Sequence, residues 1–107
     1  MGKQYFIELG CKTPDGPEIF GRFFAGDNCK MARAIFCKLQ GNRNINDNNV
    51  IFLTFVETSN ELPVDLDMMG CTLDQLGENC KIIAAELFKN YSLLPYTLKH
   101  RPDEKVY

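Results

Sequence analysis

This 107-residue chain has one histidine, two serines (Ser59 and Ser92) and no glycine-rich fingerprint, so the commoner catalytic chemistries have little to work with. His100 lies between Lys99 and Arg101 near the end of the chain, where a solvated residue is expected rather than a catalytic base. Neither serine sits in a Gly-x-Ser-x-Gly elbow, which argues against a Ser-His-Asp hydrolase. Neither G-x-G-x-x-G nor G-x-x-x-x-G-K-[ST] occurs, so both nucleotide-binding fingerprints are missing. A calcium loop starting at Asn46 would put Ile51 where the turn glycine belongs and would consume an apolar strand. The expectation is therefore no cofactor, no metal and a non-catalytic role.

Other shortages narrow the class further. No apolar run approaches the roughly 20 residues that span a bilayer. The formal net charge of -2 provides no basic excess for neutralising phosphates, so neither membrane nor nucleic acid is an expected partner. Lys30, Arg33 and Lys38 read as the wet face of a helix. The first ten residues, interrupted by Glu8 and Gly10, lack a secretory core. Cys11, Cys29, Cys37, Cys71 and Cys80 are odd in number and show no C-x-x-C spacing. Reduced thiols packed as small hydrophobes, in a cytoplasmic protein, follow.

Apolar side chains, by contrast, are plentiful: 45% of residues are hydrophobic, with eight Phe and four Tyr. Their spacing predicts an α+β domain over residues 1–95, with a tail over 96–107. Strands are expected over 4–9 and 18–24, joined by the turn Thr13-Pro14-Asp15-Gly16. The period then becomes helical through Met31, Ala32, Ile35, Phe36 and Leu39, with Asp27 as the expected N-cap and Gly41 as the stop. Residues 50–58 carry apolar groups on both faces, the mark of a strand inside a sheet. Residues 64–68 alternate Val64, Leu66 and Met68 against Asp65 and Asp67, as an edge strand would. Thr72 and Gln75 form a capping box for a long helix over 73–91, in which Gly77 suggests a close packing contact.

The order ββαββα predicts a four-stranded antiparallel sheet, 2-1-3-4, with two helices on one face. A tandem ββα repeat would explain why Asn28-Cys29-Lys30-Met31 resembles Asn79-Cys80-Lys81-Ile82; chance likeness of two amphipathic helices explains it equally.

Two helices cover only one side of such a sheet, and the aromatic content exceeds what that layer needs. An uncovered apolar face marks a partner or ligand site. Phe6, Phe20, Phe24, Phe52, Phe55 and Tyr96 are the candidate interface residues. The expected role is an interaction module that self-associates as a homodimer or docks a protein. The alternative is a small-molecule or enzymatic site between this face and the C-terminal tail. A cavity of at least about 300 Å³ with convergent polar groups would favour that alternative. Three weaker candidates complete the set. Asp65 and Asp67, about 7 Å apart on one strand face, suit acid–base or metal work. Cys29 stands in the first turn of a helix, where the dipole favours a thiolate.

Overall fold

The computed structural model describes residues 2–43 and 50–91. Their elements are β1 (Lys3–Thr13), β2 (Gly16–Gly26), α1 (Cys29–Cys37), β3 (Ile51–Ser59), β4 (Leu62–Cys71) and α2 (Leu73–Tyr91). The strands form one antiparallel sheet in the order β2-β1-β3-β4, with both helices on one side, as the alternation predicts. Tyr96 and the rest of the expected tail lie outside the described residues.

Turn chemistry lets the strands run longer than their apolar pattern. In the first hairpin the Thr13 hydroxyl donates to the Gly16 carbonyl at 2.5 Å and accepts from the Asp15 N–H at 3.2 Å, with Gly16 at φ 115°. The second hairpin turns on Asn60 (φ 55°) and Glu61 (φ 65°), the left-handed pair that matches strand twist. β4 spans ten residues rather than 64–68.

The helix ends differ in how closely they follow expectation. The capping box of α2 is present: the Gln75 N–H donates to Thr72 Oγ1 at 3.1 Å, and the Thr72 N–H to Gln75 Oε1 at 3.0 Å. The N-cap of α1 is Asn28, not Asp27; its extended backbone lets its side chain accept from the Met31 N–H at 3.0 Å. Gly41 does not stop α1, which already ends at Cys37 with Lys38 as its C-cap. A Cβ at Gly41 would lie 2.5 Å from the Gly70 carbonyl, so glycine is required there for close approach to β4. Gly77 is the reverse case, with open space where a side chain would be.

The core lies between the sheet and the helices. Ile7, Leu9, Leu53, Phe55, Met69 and Cys71 meet Ala32, Ile35 and Phe36 of α1, with Ile83 of α2. The Phe55 ring stacks on Phe36 at 5.6 Å and on Tyr5 at 5.9 Å. Asn79, wholly buried in α2, accepts from the Gln40 N–H at 2.7 Å and donates to the Gln40 carbonyl at 2.8 Å. One side-chain amide thus satisfies both backbone polar groups of a residue beyond α1. Lys38 and Glu86 pair at 2.9 Å between the same two segments. The recurrence of Asn28 and Asn79 does not coincide with the element order. Asn28 caps α1, the equivalent position in α2 is Thr72, and Asn79 stands about two turns further in.

Candidate functional site

Register decides which side chains share the helix-free face. Directly paired residues across the sheet form rows: Phe24, Phe6, Val56 and Asp65; then Arg22, Glu8, Thr54 and Met68; then Ile19, Gly10, Phe52 and Gly70. Three bulges interrupt the pairing, with Phe20 and Ala25 extra on β2 and Leu66 extra on β4.

The third row has glycine at two of its four places, and Gly10 leaves room above β1. The Phe52 ring leans into it over β1: a Cβ at Gly10 would lie 2.5 Å from Phe52 Cζ. Beside that ring is a cavity of about 640 Å³. Phe52, Ile19, Pro17 and Met68 supply its apolar lining, and Thr54, Glu8, Asp65 and Lys12 its polar groups. Thr54 is the unusual member. It is 3% exposed in the middle of an apolar strand, and among the described residues its hydroxyl makes no hydrogen bond. A buried hydroxyl without a partner costs roughly 1–3 kcal/mol, so it calls for an explanation.

Glu8, opposite Thr54, has one side of its carboxylate occupied. Arg22 donates to Glu8 Oε2 from Nε at 3.3 Å and from the terminal nitrogen at 3.0 Å. The same guanidinium lies 4.6 Å above the Phe6 ring, and Phe6 meets Phe24 at 5.4 Å. This ridge separates the cavity from a smaller hollow of about 290 Å³ beside Gln4, Thr58 and Asn60.

The expected site residues therefore divide. Phe6 and Phe24 occupy the helix-free face, and Phe52 floors its cavity. Phe20 is the exposed extra residue of a bulge. Phe55 does not belong with them: it is 0% exposed on the opposite face, because it pairs with Ile7 of the core.

Asp65 and Asp67 do not share a face either. The bulge at Leu66 sets Asp65 opposite Val56 and Asp67 opposite Phe55. Asp65 reaches the cavity, whereas Asp67 on the helix side pairs with Arg43. Burial alone would raise the Asp67 pKa. The Arg43 hydrogen bond, the Met68 N–H and the charges of Arg43 and Arg33 outweigh it and hold the carboxyl below its ordinary value.

Cys29 begins α1, exposed, away from the cavity lining. Its neighbour is the Tyr5 hydroxyl, whose pKa is pushed up to about 12 by burial first, then by Cys29 and Glu57. Among the described residues no group of three or more His, Cys, Asp or Glu is placed to hold a metal ion, and no helix is long and apolar enough to cross a membrane.

Thr54, Glu8 and Gly10 were not among the sequence candidates. Thr54 carried a signal nonetheless, as a polar residue at the centre of Ile51–Val56. Comparison with known proteins finds no matching family model, no matching curated protein and no matching solved structure.

Proposed function

We propose that this domain is a cytoplasmic binding module that holds a small, mostly apolar molecule in the hollow of its helix-free sheet face and does no chemistry on it. The observation that carries the reading is the unpartnered, buried Thr54 hydroxyl lining a cavity of about 640 Å³. That volume lies within the range of about 300–1,000 Å³ common to small-molecule sites. Apolar walls supply affinity through area removed from water, and one or two polar groups fix orientation. A non-catalytic role is supported by Glu8, which faces Thr54 but is engaged by Arg22. Five free cysteines accord with a reducing compartment.

The test is a small-fragment screen read by amide chemical shifts. Binders should move the signals of Glu8, Gly10, Phe52 and Thr54 together, and Thr54→Val should weaken them. Shifts confined to the smaller hollow near Asn60, or no binder at all, overturn the reading.

A second reading is favoured by a separate observation. Ile19, Phe20 and Phe24 stand 49%, 53% and 43% exposed beside the cavity, a patch suited to docking a second copy of the chain or another protein. On that reading the chain runs as a dimer in solution, and Phe24→Asp converts it to a folded monomer. A parental protein that already runs as a monomer removes the homodimer.

A further inference from the structure

We infer that the molecule held in this cavity ends in a protonated amine, seated over Thr54 with its apolar body lying toward Phe52, Ile19 and Pro17. The inference rests on the ligand-binding reading above and adds the chemical class of the ligand.

The open polar groups around Thr54 are acceptors. Both Arg22 contacts fall on Glu8 Oε2, and Oε1 takes no hydrogen bond among the described residues. Asp65 forms no ion pair or hydrogen bond among them either. Lys12, which also lines the cavity, has an interaction of its own. What remains open is therefore the Asp65 carboxylate, one oxygen of the Arg22-paired Glu8 and a hydroxyl able to accept, a set that suits a donor carrying positive charge.

Position agrees with chemistry. Glu8 pairs with Thr54 from β1, and Asp65 pairs with the next residue but one, Val56, from β4. Asp65 thus lies diagonally across Thr54 from Glu8, roughly 12 Å away by strand spacing and the two-residue offset. Acidic residues alone would not make a site, since exposed strand faces often carry them. The hydroxyl between them, 3% exposed and unpartnered, is the independent sign that something polar belongs there. The lining then runs through Phe52, Ile19 and Pro17 toward the Thr13–Gly16 turn, giving an alkyl or aryl body a surface beyond the amine.

Three probes of equal chain length separate the class from the site: hexylammonium, 1-hexanol and hexanoate, titrated at fixed ionic strength against amide shifts. Hexylammonium should bind about tenfold more tightly than either other probe, the gain typical of a charge-assisted hydrogen bond in a sheltered site. Asp65→Asn, at an exposed position that leaves the fold intact, should reduce hexylammonium affinity several-fold and leave hexanol unchanged. Thr54→Val should weaken both. Equal binding of the three probes, or tightest binding of hexanoate, overturns the amine while the ligand site stands. Failure of all three to shift Glu8, Phe52 and Thr54 overturns the amine and the site together.

Discussion

Phe52 and Phe55 lie three residues apart on the same strand and end in different surroundings. Phe55 faces the helices, where Phe36 and Tyr5 stack against it and no surface remains. Phe52 faces away from them and, among the described residues, lies over Gly10 beside the cavity. Both faces draw on the same residue types, so composition does not distinguish them. The difference is the second layer. Where α1 and α2 supply knobs of matching size, the apolar face becomes a close-packed core. Where no described helix lies opposite, the Phe52 ring folds over Gly10, and the polar groups beside it line an open cavity rather than a packed interior.

The sharpest way to break this contrast is to truncate one ring on each side. Phe55→Ala should cost about 3–5 kcal/mol, the range for emptying a packed aromatic site, and lower the unfolding midpoint by roughly 15 °C or more. Phe24→Ala, on the open face, should cost no more than about 1 kcal/mol, the worth of its contact with Phe6. Equal losses in thermal denaturation would show that the helix-free face is packed as firmly as the core.

That contrast also marks how far the residues could be read in advance. Element types, the sheet order and the one-sided placement of helices were legible, because alternation, turn residues and a capping box all point the same way. Faces were not. Only pairing shows that Phe55 rather than Phe52 points at the helices, since residues 50–58 are apolar on both sides. The extra residue Leu66 is invisible to alternation, yet it reverses the facing of Asp65 relative to Asp67. Gly41 read as a helix stop because glycine commonly is one; the close approach of β4 that requires it comes from residues far along the chain. Thr54 was legible as an anomaly, but its meaning depended on Glu8 pairing with it and on the cavity that it lines.

A second probe concerns polar groups, again one on each side. Asn79→Ala removes the amide that serves both backbone polar groups of Gln40 and should cost about 1–3 kcal/mol in urea denaturation. Thr54→Val should act in the opposite direction, leaving the unliganded protein as stable as before or more so by up to about 1 kcal/mol. It removes a buried hydroxyl that gains nothing from the folded chain. A Thr54→Val protein clearly less stable than its parent would mean that the hydroxyl is satisfied within the fold, and the main support for a ligand site would go.

The smallest effect belongs to Asp67, on the helix side of β4. Asp67 has its pKa held below the ordinary carboxylate value of about 4, so its folded-state pKa is lower than its unfolded one. The stability it contributes is then fully present above about pH 4 and disappears as pH falls through the lower folded value. Arg43 is half exposed, which limits the contribution to about 0.5–1 kcal/mol and makes it smaller in high salt. The difference in stability between the parent and Asp67→Asn should hence be level from pH 8 to 5 and shrink below pH 4. Glu86, whose carboxyl the Lys38 hydrogen bond also holds down, titrates in both proteins and cancels in that difference. A difference that stays level down to about pH 3 would mean that Arg43 does not hold the Asp67 carboxyl in solution.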